Sequence, residues 1–230
     1  MHRMGITLSS DLLVVCLTRG RPEKFARMMD SLLATSRISD MRVYMDIDDP
    51  KRLSYPTYSV EYITQQRSLP ARSINEIFVN DSEYKYFFGA SDDLLFHTDG
   101  WDELLVGEIV KAGGWGIAYG NDLHQKSRLP TNPVVSSNIV HTLGWISLPT
   151  LEHLYGDNVL KDIGMGIGKL IYRDDVIIEH CHPHAGTGVE DEIYHNLNSP
   201  ERYRVDEAAY NEWVRVGRIS DIKKLRGAMG

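Results

Sequence analysis

The sequence predicts an α/β layer fold with a mainly parallel sheet, and three observations carry that prediction. Short apolar runs rich in β-branched residues alternate with stripes at helical spacing. Their order reads β-α-β-β-α-β-α-β, the pattern of strands joined by crossover helices. Several of the strands end in charged residues, and in open parallel sheets the ligand sits beyond such C-terminal strand ends.

"LLVVCL" (12–17) is a continuous apolar run and predicts a strand buried on both faces. After the polar corner "TRGRPE", Pro22 stands in the first turn of a helix. Phe25, Met28, Met29, Leu32 and Leu33 fall at i, i+3, i+4, i+7 and i+8, one apolar stripe. "MRVYMDI" (41–47) predicts the second strand and "VEYI" (60–63) the third. Ser68 is placed to cap a helix that has Pro70 early and Ile74, Ile77 and Phe78 facing inward. "YKYFFGA" (84–90) reads as the fourth strand. A helix over about Trp101 to Ala112 and a strand at "WGIAYG" (115–120) follow.

The bulk properties exclude some functions. The chain has 230 residues, 42% hydrophobic, with a formal net charge of −7 and two cysteines. No window approaches the roughly 18 uninterrupted apolar residues of a membrane span. "MHRMGITLSSD" has no apolar signal core, and Cys16 reads as core filler in an apolar run, so a reducing, cytoplasmic setting is expected. The net charge argues against a protein that coats nucleic acid, without excluding a local basic groove. There are no internal repeats or low-complexity segments.

Three strand ends carry polar groups on one predicted edge: Thr18, Arg19 and Arg21 after the first, Asp46 and Asp48 after the second, Asp92 and Asp93 after the fourth. Each alone would be an ordinary solvated loop or helix cap. Together they suggest a site, because neighbouring carboxylates become favourable when a divalent cation lies between them and an anionic ligand. A diphosphate bridged by Mg²⁺ or Mn²⁺ is the obvious ligand.

"LLVVCLTRGRP", "DIDDP", "ARSINEIF" and "FFGASDD…GWDELL" together resemble the nucleotide-binding half of A-fold, family-2-like glycosyltransferases. "GNDLH", "LGWISLPTLEHLYGDNVLKDIG" and "VIIEHCHPHAGT…EDEIYHN" are similar to small phage and bacterial members of that group, so the resemblance runs from about 12 to 197. It implies a single glycosyltransferase-A domain over 1–230: a nucleotide-binding half at 12–115, an acceptor and metal half at 116–198, and a C-terminal helical extension at 199–230. It also implies a UDP- or GDP-sugar donor and inverting transfer to an acceptor hydroxyl.

"SDD" stands where the family has Asp-x-Asp, with Ser91 in place of the first Asp. By that position Asp93 is the expected metal ligand, and Asp92 reaches the sugar or a metal-bound water. The family also implies a ligand from the C-terminal half, often a histidine, and His180, His182 and His184 follow an apolar strand; His180 is the first choice. Imidazole suits Mn²⁺ better than Mg²⁺. A zinc centre of His180, Cys181, His182 and His184 is the rival, although such dense spacing is poor for one tetrahedral site. Glu179 and His180 adjoin on a strand and should face opposite ways.

Arg19, Arg21 or Arg72 could meet the charge of the departing diphosphate. For the base, the resemblance points to Asp157, which could equally be an N-cap. Glu190, Asp191 and Glu192 are the fallback, though they also suit the first turn of a helix. "GMGIGKL" (164–170) lacks the spacing of a phosphate loop and reads as a glycine-rich turn before a strand around Ile171. The extension opens with Ser199 and Pro200 as a helix start. Trp213, Val214, Ile219, Ile222 and Leu225 form a stripe, beside a basic end of Arg215, Arg218, Lys223, Lys224 and Arg226. That end is either a solvated face or a contact for a polyanionic acceptor such as hydroxymethylated DNA, or for an acidic membrane surface. A non-catalytic scaffold or a nucleic-acid-binding module are the readings outside enzymology.

Overall fold

The computed structural model describes residues 11–230, with the side chain of His184 left out. Residues 1–10, where most of the stretch read for a signal core lies, are outside the described residues. One sheet of eight strands, in the order β3-β2-β1-β4-β7-β6-β8-β5, organises the chain. β1 (Leu12–Thr18), β2 (Ser39–Asp46), β3 (Glu61–Gln65) and β4 (Tyr86–Ala90) form its parallel half. β6 (Ile117–Asn121) and β8 (Leu170–His180) are also parallel to each other. The short β7 (Val134–Ser136) runs antiparallel between β4 and β6, and β5 (Leu94–Phe96) antiparallel against β8. The mainly parallel sheet read from the sequence is present.

β1 shows why the run "LLVVCL" had to be apolar throughout. Its residues alternate between two cores. Leu12, Val14 and Cys16 join Phe25, Met28 and Met29 of α1 (Pro22–Thr35) and Trp101 and Leu105 of α3 (Trp101–Lys111). Leu13 and Val15 join the opposite core, with Phe78 of α2 (Pro70–Asn80), Ile139 of α4 (Ser137–Leu143) and Ile163 of α5 (Gly156–Ile167). α6 (Glu192–Leu197), α7 (Pro200–Val216) and α8 (Arg218–Met229) complete the chain. Trp213 and Leu225 bring α7 and α8 into that second core. No helix among the described residues is long and apolar enough to cross a membrane.

Several local expectations need correction. Leu33 is exposed, because Phe25, Met28, Met29 and Leu32 already fill the buried stripe of α1. Ser68 does not cap α2; Leu69 holds the cap position without a side-chain bond, and Pro70 starts the helix with its fixed φ. "GMGIGKL" is mostly the end of α5, with the turn confined to Gly168 and Lys169. Gly166 is there because a Cβ would come within 2.3 Å of Ile222 Cδ1 on α8. The extension is two helices broken at Gly217, where a Cβ would lie 2.7 Å from the Trp213 ring. The break turns Ile219 out to solvent. Ser199 does cap α7, accepting from the Arg202 N–H at 3.3 Å.

Candidate active site

Because β1, β2 and β4 are parallel, their C-terminal ends share one edge of the sheet. Beyond that edge lies a cleft of about 1180 Å³. Thr18, Arg19, Arg21, Asp46, Arg72, Asp92, Asp93, Asp157 and His180 all line it, whereas Asp48 stands at the exposed rim.

The two adjacent carboxylates after β4 have different jobs. Asp92 is buried with both oxygens engaged: Thr18 Oγ1 donates to one at 2.9 Å and Arg21 donates to the other at 3.1 Å. Burial pushes its pKa up to about 6; Asp93 adds to that rise, while Arg21 and Thr18 oppose it. Asp93 points the other way. Its Oδ1 lies 3.5 Å from His180 Nε2 and, though buried, makes no hydrogen bond; Ser91 Oγ is buried and unbonded beside it. Burial works to raise its pKa, but His180 outweighs it and holds the carboxyl at about 2.

β5 is what joins Asp93 to His180. Leu94 pairs with His180 and Phe96 with Ile178, and the Cys181 N–H donates to the Asp93 carbonyl at 2.9 Å. "SDDLLF" therefore hairpins back from the parallel half and lays its second aspartate against the end of β8. Glu179, as expected from strand alternation, faces away and meets His97 at 2.8 Å. His180 is flanked edge-on by His182, which stacks on His124. Burial works to lower the His180 pKa, yet Asp93, Asp157 and Asp122 together raise it. Three carboxylates thus converge on one position and favour a positive charge there.

On the β1–β2 side, Arg19 donates to Asp48 at 2.6 Å and to Asp46 at 3.3 Å. Arg21 divides its guanidinium between Asp92 and Asp191, and Lys24 donates to Asp191 at 2.7 Å. Asp191 also accepts the Tyr194 N–H as the N-cap of α6. Although partial burial works to raise its pKa, these donors hold it well below the usual carboxylate range. Arg72 is three-quarters exposed at the cleft mouth and pairs with Glu76.

Asp157 is not an N-cap. Tyr155 occupies the cap position of α5 at φ +64° with no side-chain bond, and Asp157 lies inside the first turn, half-buried and turned into the cleft. Burial raises its pKa to about 6, with Asp122 adding and His180 opposing. Sequence reasoning missed the residues that build this wall. Asp122 is buried and accepts three loop N–H groups and the Thr131 hydroxyl. His153 lines the cleft, its pKa pressed down to about 4 by burial and by Arg202. Only the spacing of Arg202, Asp206 and Tyr210, one helical turn apart, could have flagged the contribution of α7.

No family model matches the chain, and no curated protein matches it in sequence. Solved structures do match in shape. The mannosyltransferase PcManGT from Pyrobaculum calidifontis, determined in complex with GDP-Man and Mn²⁺, superposes with a TM-score of 0.56 over 96% of this chain and 74% of its own, at 10% identity. S. aureus TarS matches with a TM-score of 0.58 at 9% identity over 91% of this chain, which spans 44% of the TarS length. Its 1–349 fragment gives 0.56, with 73% of the fragment covered.

The chain has the glycosyltransferase-A fold.

Within this fold the residues can be tested against a divalent cation. Among the described residues, no group of three or more His, Cys, Asp and Glu side chains is gathered closely enough to hold a metal alone. That removes support from a zinc centre built on His180, Cys181 and His182; the His184 side chain is outside the described residues. The pair Asp93–His180 does fit a cation that takes its remaining ligands from a diphosphate and water. Its carboxylate oxygen is buried and unbonded, and the surrounding acids favour positive charge. One carboxylate plus one imidazole suits Mn²⁺ better than Mg²⁺.

Proposed function

We propose that this chain is a metal-dependent glycosyltransferase that moves a sugar from a UDP- or GDP-sugar to an acceptor hydroxyl with inversion. The observation that carries the reading is the Asp93–His180 pair at 3.5 Å on the floor of the cleft, with one carboxylate oxygen left unbonded. Asp93 and His180 would hold the cation, which supplies positive charge to the diphosphate as it leaves. Arg19 and Asp46, joined at the ends of β1 and β2, face the nucleotide, with Asp48 at the rim. Thr18 and Arg21 hold Asp92 in place beneath the sugar position, and Arg72 is free of the sheet at the mouth to reach a phosphate.

Asp157 is the base. It takes the acceptor hydroxyl proton as that oxygen bonds to the anomeric carbon and the bond from carbon to the diphosphate oxygen breaks. A carboxylate whose pKa is raised to about 6 suits this role: it is ionised at neutral pH yet holds a proton better than an ordinary aspartate. The sequence suggests a hydroxymethylated DNA base as acceptor from its basic C-terminal end, of which Lys223 and Lys224 are exposed and the arginines are engaged within the chain. Arg215, Arg218 and Arg226 are turned to Glu212, Asp162 and the Gly166 carbonyl.

The test is nucleotide release from a panel of UDP- and GDP-sugars with Mn²⁺, for the native chain and Asp157→Asn. The native chain is expected to use one donor. The variant should bind the nucleotide diphosphate normally while transfer falls roughly 10²–10⁴-fold, the usual worth of a general base. Transfer within a few-fold of native would remove Asp157 from the reaction.

A further inference from the structure

The C-terminal extension lies outside the sequence resemblance, yet it grips the loop that delivers Asp157. Three residues of α7 do this. Arg202 Nε lies 3.1 Å from Glu152. Asp206 accepts the backbone N–H groups of Glu152, His153 and Leu154 at 2.7, 3.0 and 2.7 Å. The Tyr210 ring stacks on Tyr155 with centroids 5.3 Å apart. Positions 202, 206 and 210 follow i, i+4, i+8 and so share one face of the helix.

Asp206 is fully buried and is satisfied by those three amides. It therefore fixes the direction of three consecutive residues, 152–154, just before the first turn of α5. Tyr155, at φ +64°, has no side-chain cap of its own to set the helix entry. The loop that leads into the first turn, which carries Asp157, is thus held from α7, with one further bond from the Ala71 N–H of α2 to the Glu152 carbonyl at 3.3 Å.

We infer that Asp206 is a positioning residue for Asp157 and that α7 is part of the transfer site. This rests on the proposed reaction. A brace that served only the fold would change stability; a positioning residue also changes rate while sparing the donor, because the donor binds to the strand ends on the other side of the cleft. Asp206→Asn is the informative change, since its amide group would aim a donor at backbone donors and displace the loop.

The experiment uses the full chain. Mn²⁺–UDP and Mn²⁺–GDP affinities are measured by calorimetry, and kcat and KM with the donor that the native chain turns over. Asp206→Asn should keep nucleotide affinity and donor KM within about twofold while kcat falls roughly 10- to 100-fold, the expected cost of misplacing a reacting group by about 1 Å. Adding Asp206→Asn to Asp157→Asn should cost nothing further, because both act through one group. Tyr210→Ala, outside the cleft, should show the same split more weakly, and carries the test if Asp206→Asn does not fold. The inference is overturned if kcat stays near native, if affinity and kcat fall together, or if the two losses multiply. A native chain that turns over no nucleotide sugar would overturn the transfer reading itself, an outcome separable from all of these.

Discussion

Asp92 and Asp93 show how little a residue's neighbour in sequence says about its role. Thr18 and Arg21 consume both oxygens of Asp92, whereas Asp93 Oδ1 makes no hydrogen bond and lies 3.5 Å from His180 Nε2. The resemblance singles out Asp93 by position, and the structure places it against His180 through β5, a strand the sequence did not reveal. His153 gives a residue-scale prediction. Its folded pKa is about 4 against roughly 6.5 for a free histidine, so only the unfolded chain takes up a proton between those values. Stability is complete above about pH 6.5 and declines as pH falls towards 4, by at most about 3.5 kcal/mol at about 1.4 kcal/mol per pKa unit. Melting curves from pH 7.5 to 4.5 should show the decline, and His153→Gln should flatten it; an unchanged slope in the variant would assign the loss to other groups. Asp157 adds a kinetic prediction. With a pKa near 6, kcat/KM should rise with pH through about 6 and level off, and Asp157→Asn should lack that limb.

At the scale of elements, the long periodic segments were legible because burial alone specifies them. β1 through its continuous apolar run, α1 through its stripe and α3 after "GW" lie within a residue or two of where the pattern placed them. β5 and β7, three residues each, were not legible: a run of three is too short to show alternation, and both exist only through distant partners, β8 for one and β4 with β6 for the other. Two helix starts failed similarly, since Leu69 and Tyr155 occupy cap positions without side-chain capping, whereas Pro22 opens α1 and Ser199 caps α7 as read. Glycines test the packing of elements. Gly166→Ala drives a methyl into Ile222 and should destabilise the chain by about 1–3 kcal/mol, the cost of overpacking. Gly107→Ala, in α3 with nothing within 4 Å of the new Cβ, should stabilise by about 0.5–1 kcal/mol. Chemical denaturation of the pair checks both signs; equal effects would mean that the α5–α8 contact is looser than its geometry.

For the whole molecule, the parallel half of the sheet and the gathering of three strand ends into one cleft followed from element order, because parallel strands must place their C-termini on one edge. The other wall did not. Arg202 and Asp206 reach it from a C-terminal segment whose sequence signals only an amphipathic helix, and their partners, Glu152, His153 and Leu154, are about 50 residues away along the chain. The central claim is that this cleft binds a nucleotide diphosphate through a cation held by Asp93 and His180. The most direct measurement is thermal unfolding with UDP or GDP, in Mn²⁺ and in EDTA. Ligand at about a hundred times its Kd should add about 2.7 kcal/mol, a rise of roughly 5–10 °C for a chain of this size, with Mn²⁺ present and little in EDTA. Asp93→Ala and His180→Ala should each remain folded and lose that difference. Equal stabilisation by nucleotide in EDTA, or a native-sized Mn²⁺ effect in both variants, would contradict the account.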